Sequence, residues 1–270
     1  MALTLQARGI PYAIPEAGGG TLLLVPAEFA ERAKHELWLF ETENRRATVA
    51  PVAPAYQESA WGVAGYVVTI SIVAILAAAA MFNRDWLAAG RIDGALVRQG
   101  EWWRTITALT LHSGLPHFLG NLGFGALFGV MAGRVIGPGV TWLAVLIAAS
   151  VGNFVNTLLL DPSHRAVGAS TAVFAALGLV AGFAWRARLY AGDRWAYRTG
   201  PIVGGIALLA FTGTGGENTD IGAHLAGFVF GLIAGVLLVR ASPHLPDRRL
   251  QQFCGAAAIA AVALAWIMAL

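Results

Sequence analysis

The stretch "HSGLPHFLGN", residues 112–121, sets His112, His117 and Asn121 where a long apolar run begins. His117 and Asn121 are four positions apart, so on a helix they leave one face about a turn from each other and can point at one atom. His112 precedes Gly114 and Pro116 and belongs to the helix entrance. Two more polar residues stand in apolar surroundings, Ser170 in "AVGASTAVFAALGLVAGFAW" and His224 in "DIGAHLAGFVFGLIAGVLL". A serine whose proton is taken by a histidine attacks a carbonyl carbon, and acyl transfer then needs donors aimed at the developing oxyanion. His117, the Asn121 amide and the Ser170 N–H at a helix start are candidate donors. Each residue taken singly has a plainer reading. The His117–Asn121 pair suits interhelical hydrogen bonds, a serine in an apolar helix bonds back to its own backbone, and a lone histidine serves a metal, a proton relay or packing.

The elements that hold these residues belong in a bilayer. Of 270 residues 57% are hydrophobic and 12% charged, against roughly a quarter charged in a soluble domain. Windows without Asp, Glu, Lys or Arg cover 61–82, 105–133, 135–160, 166–185, 199–216, 221–239 and 253–270. Each approaches the roughly 20 residues that cross about 30 Å of hydrocarbon as helix, so seven spans are expected. The net charge of +3 is carried almost wholly by arginine, Lys34 being the only lysine. With the N-terminus in the cytoplasm, Arg134, Arg186, Arg188, Arg194, Arg198, Arg240, Arg248 and Arg249 fall in inner loops, and Arg84, Arg91, Arg98, Arg104 and Arg165 in outer ones. The inner excess favours that orientation, and arginines scattered in this way are topology signals rather than a nucleic-acid patch. Cys254 is the single cysteine, which excludes an intramolecular disulfide and a Cys-based metal site. No signal peptide is expected, because the first long apolar run begins at Trp61.

In this arrangement spans two, four and six all start at the outer face, so His117 and Asn121, Ser170, and His224 share one membrane level. The glycines say which helices meet. Ser170, Phe174, Gly178 and Gly182 follow at four-residue steps, and His224, Gly227, Gly231 and Gly235 do nearly the same. Small residues at such spacing permit close helix approach, and contact along the two stripes brings Ser170 to His224.

Outside the spans, residues 1–44 read as a small soluble α+β module: "TLLLVP" as a strand after Gly18-Gly19-Gly20, then an amphipathic helix with Phe29, Ala33, Leu37 and Phe40 near one face. Residues 45–60 read as a linker rich in charges, prolines and small residues. The segment between the first two spans mixes Trp86, Trp102 and Trp103 with charges and suits the bilayer interface.

Taken together, these motifs resemble those of the rhomboid intramembrane serine proteases. Trp103-Arg104 stands in the first loop, His112, His117 and Asn121 at the family's spacing in the second span, Gly168-x-Ser170 in the fourth and Ala223-His224-x-x-Gly227 in the sixth, over residues 61–240. The resemblance implies a six-helix core with a Ser-His dyad and no aspartate, Ser170 as nucleophile and His224 as base. It implies an oxyanion site shared by His117, Asn121 and the Ser170 N–H, with Gly168, Phe174, Gly227, Trp103, Arg104 and His112 in support, and neither cofactor nor metal. Substrates would be transmembrane proteins, cut near the outer face at small residues beside helix-weakening sequence. The setting implied is multi-pass in a bacterial inner membrane, with the site opening to the outer face. Residues 241–270, a loop and a seventh helix, resemble the "six plus one" variants. The expected architecture is thus an all-α polytopic membrane protein: a six-helix rhomboid-like core, one extra C-terminal transmembrane helix and the N-terminal module. Two positions depart from the family pattern, Thr171 where glycine is usual and Phe174 where a tyrosine commonly stacks on the base.

The leading alternative is a catalytically inactive relative that binds transmembrane helices; Thr171 favours it, and the retention of His117, Asn121, Ser170 and His224 opposes it. A proton-relaying transporter would call for Asp or Glu inside the windows, which hold none, and a zinc protease for HExxH, which does not occur.

Overall fold

The chain divides into two units, Met1–Ala50 and Pro51–Leu270. The structure, a computed structural model, describes residues 2–15, 22–44, 58–187, 195–213 and 220–270. In the first unit, helices α1 (Ala2–Ala7) and α2 (Ala30–Asn44) enclose a small core of Leu5, Ile10 and Ala33, with Phe29 and Leu37 packed against it. Phe40, expected on the same face, is 38% exposed. The expected strand is reduced to one bridge, Ala13 with Leu24, made by reciprocal 2.8 Å hydrogen bonds. Pro26, two residues on, has no N–H with which to extend the ladder. Gly18–Gly20 and residues 45–57 of the linker lie outside the described residues.

The second unit is a polytopic, all-α membrane domain. Among the described residues six of its helices are long and apolar enough to cross a bilayer: α3 (Ala60–Ala78), α7 (Leu115–Ile136), α8 (Pro138–Leu159), α9 (Ser170–Ala187), α11 (Ile221–Leu238, continued by a tight turn to Ala241) and α12 (Arg248–Ala269). The expected span over 199–216 falls on helix α10 (Trp195–Gly213), whose apolar stretch among the described residues, Thr199–Phe211, is shorter than those of the other six, with Pro201 inside the helix; residues 214–216 lie outside the described residues. Large apolar side chains such as Ile75, Leu127, Ile147, Val229 and Ile267 are about half exposed or more, as lipid-facing positions must be. α9 is the most enclosed of the six and apolar on all sides, the pattern of a helix buried at the centre of a bundle.

Between α3 and α7 the chain forms α4 (Trp86–Gly90), strand β1 (Ile92–Asp93), α5 (Gly94–Arg98) and α6 (Arg104–Thr107). β1 pairs antiparallel with β2 (Arg165–Ala166), Ile92 opposite Ala166 and Asp93 opposite Arg165, so the first loop is stitched to the segment that runs into α9. The loop before α9 also hangs on the Gly168 N–H, which donates to the Ala108 carbonyl at 2.9 Å.

The C-terminal helix is fastened at both ends. Buried Gln251 donates from Nε2 to the Ile136 and Leu245 carbonyls (3.1 and 2.8 Å) and accepts from the Val140 N–H at 2.9 Å, closing the α7–α8 turn. Trp266 packs on Trp86 with centroids 4.6 Å apart and donates from Nε1 to Thr110 Oγ1 at 3.1 Å.

Candidate active site

Ser170 opens α9, and His224 lies in the first turn of α11. The two helices run in the same direction with their backbones almost touching. A Cβ at Gly227 would strike the Thr171 carbonyl oxygen, one at Gly231 that of Ala175, one at Gly235 that of Leu179; from the other side one at Gly178 would strike Phe228 O. The glycine stripes are thus the contact that their spacing foretold. The same parallel register, followed back by a turn, carries Ser170 and His224 at adjoining helix ends. His224 is buried, and its ring lies 4.6 Å from that of Phe174, tilted by 39°. Ser170 is half-buried.

Gly168 shapes the approach to Ser170. Its φ of +141° disfavours any residue with a side chain, and a Cβ there would lie 2.6 Å from His117 Cε1, 2.7 Å from its Nε2 and 3.5 Å from Ser170 Oγ. The imidazole edge and the serine hydroxyl therefore flank one point in space. His117 Nδ1 is 3.0 Å from Ser113 Oγ. With the hydroxyl donating, the ring proton sits on Nε2, the nitrogen nearest Gly168. One helical turn on, Asn121 is buried and its Nδ2 has no hydrogen-bond partner among the described residues. A buried amide donor without a partner costs about 1–3 kcal/mol. Its backbone carbonyl is occupied, accepting from Tyr66 Oη at 2.8 Å. Among the described residues no three His, Cys, Asp or Glu side chains converge as a metal site would require.

Residues 99–241 match the Rhomboid domain. The chain belongs to the rhomboid family. It is 31% identical over 157 residues to rhomboid protease GluP of Bacillus subtilis (strain 168), 58% of this chain and 30% of that protein. It is 30% identical over 143 residues to putative rhomboid protease YdcA of the same organism, 53% and 68% of the two chains, and 33% identical over 149 residues to rhomboid-like protease 2 of Toxoplasma gondii, 53% and 50%. This chain thus spans under a third of the length of GluP.

In this rhomboid the two departures from the family pattern have local explanations. Thr171 is buried, and its Cγ2 lies 3.1 Å from where a Cβ on Gly227 would be, so its methyl fills the space over that glycine. Phe174 keeps the ring contact with His224 without a hydroxyl. Of the supporting residues, His112 adjoins His117, ring centroids 5.4 Å apart at 73°. Burial, followed by the charge of His117, pushes its pKa down to about 4, so it is neutral at physiological pH. Trp103 and Arg104 are bound up in the first loop instead. Buried Arg104 donates to Glu101 at 2.6 Å and to the Ala88 and Arg91 carbonyls at 3.0 Å, and Trp103 packs edge-on against Trp102. Arg104 is a staple for that loop.

Sequence reasoning passed over three residues that frame the site: Asn156, His164 and Asp220. Asp220 caps α11, its Oδ1 accepting from the Ala223 N–H at 2.9 Å. An aspartate directly before an apolar run is a helix-start signal, which makes this cap readable in sequence. His164 and Asn156 carry no comparable signal, because their partner is 56 and 64 positions away.

Proposed function

We propose that this rhomboid is a serine endopeptidase that hydrolyses peptide bonds in or near the transmembrane segments of other membrane proteins. Ser170 is the nucleophile and His224 the base that takes its proton and returns it to the leaving amine. The Asn121 amide, His117 Nε2–H and the Ser170 N–H stabilise the oxyanion. The observation that carries this reading is the convergence of His117 Nε2 and Ser170 Oγ on one point beside Gly168, with the unpartnered Asn121 amide a turn below. Histidine and asparagine are at home in an apolar domain when they line a wet pocket in which charge develops. The arginine distribution favours a cytoplasmic N-terminus, a site that opens to the outer face and, in a bacterium, an inner-membrane location.

Fluorophosphonate labelling of purified protein, run beside cleavage of a reporter transmembrane substrate, tests the assignment. Wild type labels and cleaves, and Ser170→Ala does neither. A wild type that fails to do both removes the reading.

Asn121→Ala is expected to lower kcat by on the order of a hundredfold or less, because other oxyanion donors remain. Steady-state kinetics decides this; a change confined to KM would make Asn121 a substrate-positioning residue.

The Thr171 methyl lies over Gly227, so the threonine does not fill the site, and Thr171→Gly is expected to change the cleavage rate less than about tenfold, 1.4 kcal/mol in barrier. If threonine instead silences the protein, wild type fails to label and the glycine variant labels well. That pair of results would make the chain an inactive relative that binds transmembrane helices.

A further inference from the structure

The two segments that carry the dyad proposed above are tied together by an aspartate. Asp220 stands a turn before His224, at the head of α11. Its Oδ2 accepts from His164 Nε2 at 2.8 Å. Both its oxygens accept from Asn156 Nδ2, at 3.1 and 2.9 Å, near the end of α8, and its backbone carbonyl accepts from the His224 N–H at 3.2 Å. His164 lies six positions before Ser170, on the strand-and-turn segment that leads to it. Its own carbonyl accepts from the Gly94 N–H at 3.0 Å, so it is held in place from the first loop as well. The Asp220 and His164 side chains are 17% and 23% exposed, and Asn156 is buried. Hydrogen bonds to an ionised carboxylate are shorter and stronger than neutral ones, and those sheltered from water are the stronger for it.

We propose that Asp220 and His164 are a positioning pair that couples the loop bearing the nucleophile to the helix bearing the base. Asn156 holds the carboxylate still from the third side. The need for such a tie follows from the fold. α9 and α11 are locked together where glycine meets backbone, from Thr171 and Gly227 downward, and Ser170 and His224 stand at the helix ends, where the loops that lead into them complete the site. Nothing along the glycine stripes fixes the loop before Ser170. A hydrogen bond from that loop to the cap of α11 sets the distance between the two reacting groups.

The inference rests on the assignment of Ser170 and His224, and the test separates the two. His164→Leu removes the donor, and His164→Gln keeps an N–H at nearly the same reach. His164→Leu is expected to lower kcat for the reporter substrate by up to roughly a hundredfold, the order of loss for a misplacement near 1 Å. KM is expected to stay within about twofold, as when an interaction with the substrate is untouched. The fluorophosphonate labelling rate should fall by a similar factor, His164→Gln should recover most of both, and the loss from His164→Leu combined with Asp220→Asn should be smaller than the product of the two single losses. Deuterium uptake should rise in residues 164–170 of the leucine variant and not in 138–159. A leucine variant that labels and cleaves at the wild-type rate overturns the coupling while leaving the dyad intact. Equal losses in the leucine and glutamine variants, with uptake raised throughout the domain, also overturn it, in favour of a role in folding alone. A wild type that neither labels nor cleaves overturns the dyad assignment, and the inference falls with it.

Discussion

Ser170→Ala and His224→Ala are each expected to lower kcat for a transmembrane substrate by about four orders of magnitude or more, with the thermal midpoint in detergent nearly unchanged. In the proposed mechanism the hydroxyl and the imidazole act on one proton, so removing either disables the same step, and the double variant should be no slower than the slower single variant. The residual rate should exceed that of uncatalysed hydrolysis, because the donors at Asn121 and His117 still favour the tetrahedral intermediate. Ser170 is half-buried and loses one oxygen, and on loss of the buried His224 ring the Phe174 ring beside it remains held in the core of α9. Single-turnover measurements on the three variants decide the matter. Losses that multiply in the double variant would show two independent groups, and turnover by Ser170→Ala at the ordinary rate would move the nucleophile elsewhere.

The candidate site was legible in sequence to the extent that it is local. His117 and Asn121 declared themselves by a four-residue spacing, and Ser170 and His224 by polarity inside apolar windows. The α9–α11 contact was legible too, because glycine at every turn has one strong physical meaning in lipid. What stayed hidden is whatever depends on pairing across long stretches of chain. The β1–β2 ribbon is two residues a side, too short to show a period. Trp266 reaches Thr110 across 156 positions. Arg104 supports the first loop through the Ala88 and Arg91 carbonyls, partners that an arginine in a motif does not disclose. The short apolar stretch of α10 has a plainer cause: Thr199, Gly200, Pro201, Gly204 and Gly205 are neutral without being apolar.

Gly231→Val is expected to lower cleavage by about a hundredfold, through packing alone. A Cβ at Gly231 would overlap the Ala175 carbonyl oxygen and lie 2.8 Å from Ala175 Cα. Both are backbone atoms in the middle of α9, so no rotamer change makes room, and the helices must part. Overpacking a tight core costs about 1–3 kcal/mol and sometimes more. The higher figure is expected here, because parting α9 from α11 opens the neighbouring contacts at Gly178, Gly227 and Gly235 as well. Ser170 and His224 ride on those two helices, and a displacement of the order of 1 Å between them costs about a hundredfold in rate. The control is Gly204→Val in α10, where a Cβ meets nothing within 4 Å. Thermal unfolding in detergent and cleavage of the reporter substrate should therefore fall together for Gly231→Val and stay near wild type for Gly204→Val. A Gly231→Val protein with the wild-type midpoint and rate would show that close backbone contact between α9 and α11 does not set the geometry of the dyad, and that the loop before Ser170 alone does so.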